Sequence, residues 1–362
     1  MHRMVNPYLS SFANGLGVDL TTISYALTLR SAAGTVGPFA ASLTDRWGRR
    51  IIMLAGAAFF TLGAAVVVFW PTFAGLCIAL VLATFGKYLF DPSLLAYLGD
   101  RIPYETRGRT IAVIEFSWSL AFILGIPLVG FIISRFGWMA PFPLFALLGI
   151  LIFIGLLLLL PQDEKTASAA ISGNHFKLVL TSLPALTGLA ISMFSSGANE
   201  LVNMLFGVWL GDSFGLQIAA LGAASAVIGL SELSAEGLVA AFVDRLGKVR
   251  SVALGLAVNA LAAIALTMIG KTETGALIGL FFFYLSFEFT IVSSIPLMTE
   301  LLPPARATLM AFNVAAMSLG RALGTFLGPR LYTLGFAAVA AGAVLFNLIA
   351  LLAVSRLGRK HG

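Results

Sequence analysis

The chain has 362 residues, of which 59% are hydrophobic and only 10% charged, and its mean hydropathy is +0.99. This composition excludes an ordinary soluble domain and predicts an all-α protein that crosses a lipid bilayer many times. At about 20 apolar residues per span, the length fits roughly eleven or twelve spans and leaves no room for a large soluble domain. A single cysteine excludes an internal disulfide, and three scattered histidines offer no metal-ligand spacing, so we expect no metal and no cofactor.

Apolar runs between charged or turn-rich breaks predict eleven complete spans. Ahead of them lies the segment 1–12, which is too short to cross a bilayer and lacks the charged start and long apolar core of a signal peptide. We interpret it as the end of a truncated first span and number the others two to twelve. The predicted spans cover residues 22–43, 51–70, 73–99, 110–134, 138–160, 179–209, 215–242, 251–269, 276–300, 307–329 and 334–355.

The lysines and arginines of the loops predict the orientation in the membrane. Fifteen of them lie in loops 2/3, 4/5, 6/7, 8/9 and 10/11 and in the C-terminal tail, against three in the opposite loops. Because basic loops stay in the cytoplasm, we expect the even-numbered span ends and the C-terminus there, in a bacterial-type inner (cytoplasmic) membrane. This topology explains the net charge of +6, so we expect no nucleic-acid partner.

One motif occurs twice, at an offset of 199 residues. The run Asp-Arg-Trp-Gly-Arg-Arg at 45–50 follows span two, and Asp-Arg-Leu-Gly-Lys at 244–248 follows span eight. The same offset carries Arg107 onto Arg306 and Gly125 onto Gly324. Three separate matches at the same offset predict two homologous halves of six helices each. The predicted units are the N-terminal half 1–160, a cytoplasmic linker 161–178 and the C-terminal half 179–362.

These motifs resemble those of a known family. Residues 41–50, Ala-Ser-Leu-Thr-Asp-Arg-Trp-Gly-Arg-Arg, resemble the signature loop of the major facilitator superfamily, Gly-x-Leu-Ala-Asp-Arg-x-Gly-Arg-Lys, with Ala41 in place of the first glycine. Residues 125–130 and the Phe-Gly-Trp turn at 136–138 resemble the fifth-span motif and the turn after it in drug and sugar efflux members. In span four, Lys87 stands where the family usually has arginine, and the Gln-Gly that follows there is absent. The resemblance covers nearly the whole chain and implies a cavity lined mainly by spans one, four, seven and ten.

The resemblance implies that the signature loop closes the cytoplasmic side of the protein in one conformational state. Gly48 permits a turn that residues with a Cβ resist, and the basic side chains can pair with a carboxylate such as Asp100. A tight turn that anchors the basic loop inside is the alternative, and both roles are compatible. The gate candidates are Asp45, Arg46, Gly48, Arg49, Arg50 and Asp100, with Asp244, Arg245, Gly247 and Lys248 in the second half.

Ionisable residues inside spans indicate which helices face the bundle interior, since each costs on the order of 3 kcal/mol in lipid. None falls in spans three, six, nine and twelve, which are therefore predicted to face lipid. Glu232 and Glu236 lie four residues apart on one helical face, which favours protonation of at least one of them and hence proton coupling. Either one instead fits a cap or an ion pair with Arg30 or Arg321. The proton-coupling candidates are Glu232, Glu236, Glu115 and Asp91.

A second group of polar and aromatic residues is predicted to line a substrate cavity. Lys87 and Asp91 are four residues apart and opposite in charge, which fits a structural ion pair equally well. Glu200 follows the small-residue run 195–199, where we expect span seven to bend. The cavity candidates are Lys87, Glu288, Glu200, Arg30, Arg321, Asn203 and Trp118.

Together these features predict a secondary active transporter that works by alternating access and exports a small organic solute, a drug-like molecule or a sugar, in exchange for protons. Its expected partners are the solute, protons and the lipid bilayer, and we expect a monomer. The alternatives are an importer, symporter or uniporter of the same fold, and a non-transporting or truncated membrane protein. We expect no enzyme, because the chain has no nucleotide-binding Gly-x-x-x-x-Gly-Lys-Ser/Thr loop, metal cluster or nucleophile elbow.

Overall fold

A computed structural model describes residues 4–37, 47–101, 117, 120–161 and 173–358 of the chain. These residues form helices joined by short turns, and no strand occurs among them. Twelve helices follow the order of the predicted spans, and a shorter helix, Gly173–Thr181, precedes α7. They are α1 Leu9–Leu16, α2 Leu20–Ala33, α3 Arg49–Phe69, α4 Phe73–Arg101, α5 Ile126–Phe136, α6 Pro141–Leu159, α7 Leu183–Phe214, α8 Ile218–Leu246, α9 Lys248–Ile269, α10 Glu273–Leu301, α11 Arg306–Tyr332 and α12 Phe336–Gly358.

Eight helices in the described part of the chain are long and apolar enough to cross a membrane, namely α3, α4, α6 and α8 to α12. With α7 and the short helix before it counted as one bent span, the number rises to nine. Residues 38–46 and 102–116, which fall within the predicted spans two and five or beside them, lie outside the described residues. The protein is therefore an integral membrane protein with an all-helical fold. The first helix ends at Leu16, four residues later than the segment 1–12 predicted.

The small-residue run at 195–199, where we expected a bend, lies inside the single unbroken helix α7. These residues instead let α11 approach α7 closely. A Cβ on Gly197 would lie 3.1 Å from the carbonyl oxygen of Gly320, and a Cβ on Gly320 would lie 1.8 Å from the carbonyl oxygen of Met193. Small residues at a crossing of two membrane helices allow their backbones to touch. The bend, of 78°, comes before α7 begins, at Ser182.

We expect Gly320→Ala to lower the thermal stability of the protein, because the new methyl group meets the backbone of α7 and cannot be relieved by a side-chain rotation. Overpacking of this kind costs about 1–3 kcal/mol. Gly155→Ala on α6 is the matched control, since a Cβ there meets nothing within 4 Å and alanine favours a helix. Thermal unfolding of both variants in detergent measures the difference. Equal unfolding temperatures would contradict a tight α7–α11 crossing.

The turns of the two halves repeat one another. Among the described residues, six glycines have positive φ and form three pairs at offsets of 198 or 199 residues, Gly17 with Gly215, Gly48 with Gly247, and Gly137 with Gly335. Gly48 (φ 89°, ψ 153°) and Gly247 (φ 82°, ψ 142°) share a conformation that a Cβ disfavours, and each directly precedes a helix. The turns thus recur at the offset of the basic motif in the sequence or one residue short of it.

The bundle has two ends, which the loops identify. We call the end at which α3, α9 and α11 begin the basic end, and the end at which α2, α8 and α12 begin the far end. Contacts between the halves include the packing of α2 against α11 and of α5 against α8. Near the far end, Arg330 donates to the hydroxyl of Tyr25 at 3.1 Å, joining α11 to α2. A Cβ on Gly207 would lie 2.2 Å from the carbonyl oxygen of Pro7, so the residues just before α1 also touch α7.

Candidate functional site

A cavity of about 520 Å³ lies in the middle of the bundle, between the two halves. Its lining comes from α2, α4, α7, α8, α10 and α11, from the residues before α1, and from the π-helical turn Ala121–Gly125 before α5. None of the described lining residues belongs to α3, α6, α9 or α12. The distribution of charged residues in the sequence therefore correctly predicted which helices stand away from the cavity. Its volume is within the usual range of 300–1,000 Å³ for small-molecule sites.

As far as the described residues show, the cavity is closed toward the far end and open toward the basic end. Its far side is formed by buried residues, among them Asn6, Phe206 and Tyr284. In the parts of α4 and α10 nearer the basic end, Leu95 and Ile295 line the cavity and are 44% and 45% exposed. The conformation thus gives access to the central cavity from one end of the bundle.

A buried polar network joins the two halves at the closed side of the cavity. Arg30 on α2 donates from Nη2 to Glu200 Oε1 on α7 at 3.2 Å and from Nη1 to Asn6 Oδ1 at 3.1 Å. Asn6 in turn donates to Glu200 Oε1 at 3.1 Å. Asn203 donates to Glu200 Oε2 at 3.0 Å and accepts from the hydroxyl of Tyr284 on α10 at 3.1 Å. Four elements from both halves therefore meet around one carboxylate.

The burial of this network makes its pairing energetically important. The side chains of Arg30 and Glu200 are only 4% and 3% exposed. Removal of one partner of a buried ion pair leaves an uncompensated charge in a medium of low dielectric constant. Loss of either charge alone is therefore expected to weaken the contact between the halves. The sequence analysis considered Arg30 as a partner of Glu232 or Glu236, and the structure shows an ion pair of Arg30 with Glu200.

Charged side chains of both signs line the cavity. The described part of the lining includes five carboxylates and three basic side chains, those of Arg30, Lys87 and Arg321. Lys87 forms an ion pair with Asp91 one helical turn along α4, with 2.5 Å between Nζ and Oδ2. The structure thus contains the internal ion pair that the sequence analysis gave as an alternative, and the pair lies in the cavity wall. No group of three metal-ligating side chains occurs among the residues that the structure describes.

The predicted proton-coupling and substrate residues meet at this cavity wherever the structure describes them. Glu232 and Glu236 both line it from α8 and are partly buried, as expected for one helical face. Glu288 lines it from α10. The other predicted residues found in its lining are Asp91, Lys87, Arg30, Glu200, Asn203 and Arg321. Glu115 and Trp118 lie outside the described residues.

The gate candidates lie at the basic end, away from the cavity. Arg49 is the first residue of α3, and Arg50 donates to the carbonyl oxygen of Leu157 on α6 at 2.6 Å. In the second half, Lys248 forms an ion pair with Glu300 of α10. Asp244 and Arg245 are exposed. Asp45, Arg46 and the side chain of Asp100 lie outside the described residues.

Three site residues received little weight in the sequence analysis. Asn6 and Tyr284 complete the buried network, and Asn199 lines the cavity one turn before Asn203. The spacing held a usable signal, because Tyr284 and Glu288 are four residues apart and so share a helical face. No such signal in the sequence pointed to Glu200 as the common partner, since the residues that contact Glu200 from other helices lie far away in the chain.

Comparisons with known proteins agree with this architecture. A family model described as Major Facilitator Superfamily matches residues 1–325 and 188–361. The "Uncharacterized MFS-type transporter YwfA" of Bacillus subtilis (strain 168) is 25% identical over 370 residues, covering 98% of this chain and 89% of the relative. The "Multidrug resistance protein MdtM" of Escherichia coli (strain K12) is 27% identical over 179 residues, covering 47% of this chain and 42% of the relative.

The fold is also found among solved structures. The crystal structure of a D-xylose-proton symporter superposes with a TM-score of 0.78 at 16% sequence identity, covering 96% of this chain and 93% of that one. At this identity the likeness concerns the fold alone. The family model, however, covers the whole chain except its last residue. The chain therefore belongs to the Major Facilitator Superfamily, a family of transporters and not of enzymes.

Proposed function

We propose that this protein is a secondary active transporter that carries a small organic solute by alternating access. The observation that carries the proposal is the central cavity, which is open to the basic end and closed to the far end by a network joining both halves. A site between two repeated halves can face either side when the halves rock against each other. Opening of the far end requires the network around Glu200 to separate. Loss and recovery of these contacts is then part of the transport cycle.

The orientation and the division of the chain form part of the proposal. The basic end faces the cytoplasm, because that end carries most of the loop lysines and arginines. Residues 1–160 and 179–362 are the two moving halves, with the linker 161–178 and the C-terminus in the cytoplasm. Eleven complete spans follow a shortened first one. In this proposal the cavity faces the cytoplasm in the present conformation, and the protein works as a monomer in the inner membrane.

We infer further that transport is coupled to protons and runs outward. Glu232, Glu236 and Asp91 place carboxyl groups in the cavity wall, where a carboxyl group can exchange a proton with the solution at the open end. Glu115 remains a fourth candidate. The name of the relative MdtM, a multidrug resistance protein, and the efflux-type motif at 125–130 favour export of a drug-like molecule over a sugar.

Proteoliposomes with trapped pyranine, a pH-sensitive dye, test the proposal. Purified protein is given a panel of drugs and sugars with an imposed pH gradient, and the pH inside is followed over time. We expect one class of solute to dissipate the gradient in the direction of proton exchange. A solute that moves together with protons would instead identify a symporter. If no solute moves protons and no radiolabelled solute is taken up, the protein does not transport, and the proposal fails.

A further inference from the structure

One amide in the cavity wall stands apart from the buried network. The uncharged polar side chains of the described lining are Asn6, Asn199, Asn203 and Tyr284. Three of them belong to the network, in which Asn6 and Asn203 donate to Glu200 and Asn203 accepts from Tyr284. Asn199 is only 7% exposed, and its Oδ1 has no hydrogen-bond partner among the residues that the structure describes. A solute can therefore bond to this acceptor without breaking a bond of the network.

The packing of α7 turns Asn199 toward the cavity. On the other side of the helix, Gly197 lies against α11, where its Cβ would be 3.1 Å from the carbonyl oxygen of Gly320. Asn199 is two residues further along α7, about 200° around the helix. Asn203 shares the side of Asn199 and bonds to Tyr284 on α10. Because no hydrogen bond holds Oδ1, the amide can turn about its Cβ–Cγ bond and present the oxygen to a solute.

Apolar side chains of α10 line the cavity near the level of Asn199. The hydrogen bond between Asn203 and Tyr284 fixes the register of α7 and α10. Toward the basic end, Asn199 lies about 6 Å from that bond, Phe287 about 4.5 Å and Ile291 about 10.5 Å, at about 1.5 Å per residue. Phe287 and Ile291 both line the cavity, and Phe287 is buried. A solute that reaches Asn199 therefore also meets an apolar wall, which favours an apolar body.

The empty protein already bears the cost of dehydrating this acceptor. Burial of a polar atom without a partner raises the free energy of the protein. A solute that donates a hydrogen bond to Oδ1 removes that cost, whereas a solute without a donor leaves it in place. The N–H or O–H group of a solute also loses water when it enters the cavity and needs an acceptor there. Asn199 therefore favours solutes by a donor group, whatever their size.

We propose that the transported solute has an apolar body and an N–H or O–H group, and that this group donates a hydrogen bond to Asn199 Oδ1. This proposal rests on the transport function proposed above and names its substrate class and the residue that selects it. The class includes alcohols, phenols and amides with an N–H group, and it excludes their fully methylated counterparts. The donor is required whatever the charge of the solute, because the acceptor is an uncharged amide.

Pairs of compounds that differ in one donor group test the proposal. They are 4-phenylbutanol and its methyl ether, 4-butylphenol and 4-butylanisole, and N-methyl-4-phenylbutanamide and N,N-dimethyl-4-phenylbutanamide. The Kd of each compound for the purified full chain, in lipid nanodiscs at pH 7, follows from the rise of the unfolding temperature with ligand concentration. We expect the donor of each pair to bind about fivefold more tightly or better. Hydrophobic binding alone predicts the opposite order, because methylation adds apolar surface.

The variant Asn199→Leu assigns the preference to one residue. Each donor compound should bind this variant about fivefold more weakly than it binds the unchanged protein, and each methylated compound should bind both proteins equally well. Partition of the compounds into the bilayer cancels in this comparison, since both proteins are measured in the same lipid. Without ligand, Asn199→Leu should unfold no earlier than the unchanged protein, because it removes an acceptor that has no partner.

The matched control is Asn203→Leu, the same change one turn further along α7. This substitution removes the hydrogen bonds of Asn203 to Glu200 and Tyr284. It should therefore lower the unfolding temperature of the protein without ligand, since the loss of a partner leaves buried polar groups unsatisfied. An Asn199→Leu protein that unfolds as early as Asn203→Leu would show that the Asn199 amide is part of the structure, and would overturn the proposal.

The binding results separate this proposal from the transport function. Methylated compounds that bind the unchanged protein as tightly as their donor partners overturn the substrate class. The same holds for a failure of all three donors to bind, and for a loss in Asn199→Leu that both members of each pair share equally. Because binding is measured without a gradient, donor-selective binding in a protein that moves no solute supports the site and defeats the transport function. Transport of solutes that lack a donor supports transport and defeats the donor requirement.

Discussion

Arg30→Met is expected to destabilise the protein by about 3–5 kcal/mol, the usual cost of removing one partner of a buried ion pair. The substitution leaves the Glu200 carboxylate buried at the junction of the two halves without its cation. Asn6 and Asn203 still donate to that carboxylate, but two amide donors do not replace a full charge. Thermal unfolding in lipid nanodiscs measures the loss.

Two further variants make this prediction specific. Lys87→Met is the matched control, because the Lys87–Asp91 pair has the same charges but its side chains are 28% and 36% exposed. An exposed pair contributes about 0–1 kcal/mol, so its loss should have little effect. The double variant Arg30→Met/Glu200→Leu removes both buried charges and should recover most of the stability. If the Arg30→Met variant is no less stable than the Lys87→Met variant, the network does not hold the halves together.

The same substitution should also change the conformational equilibrium. If the network keeps the far end closed, Arg30→Met opens it more often, and Phe206, fully buried beside the network, becomes accessible from that side. The chain has a single cysteine, so a Cys77→Ser background allows Phe206→Cys to be labelled alone. A membrane-impermeant maleimide added at the far-end side should react faster when Arg30 is replaced. An unchanged rate would argue against a latch at this position.

Glu232→Gln and Glu236→Gln are expected to reduce solute-dependent proton flux at least tenfold, because a neutral amide cannot bind and release a proton. Both carboxylates line the cavity from α8, four residues apart. Either change should therefore remove the coupling while the cavity keeps its shape. Pyranine fluorescence in proteoliposomes measures the flux.

The interpretation of this experiment requires a measure of transport without protons. Exchange of labelled for unlabelled solute in the absence of a pH gradient should survive in both variants, since it needs only the binding site and the motion of the halves. Glu273→Gln, outside the cavity on α10, should keep full proton flux. Flux that persists in both α8 variants would move the proton site to Asp91, Glu115 or Glu288.

The sequence alone determined much of the fold. Nine of the predicted spans coincide with described helices to within a few residues, because hydrophobicity and helix breaks are local properties of the chain. The repeat followed from a motif around Gly48 and Gly247, whose turns have the same backbone conformation in the structure. The charge pattern identified α3, α6, α9 and α12 as helices outside the cavity, because ionisable groups in a membrane span are costly wherever they face lipid.

Only the tertiary structure decided which polar groups meet. Arg30 and Glu200 are 170 residues apart, and no local spacing predicts their contact. The small residues of α7 were expected to bend the helix, whereas they lie against Gly320 of α11 and allow close packing. Which segments enter the bilayer depends on the free energy of transferring each segment from water to lipid. That free energy is a property of the segment's own sequence. The partner of a buried charge depends on distances between helices, which only the packing of the two halves fixes.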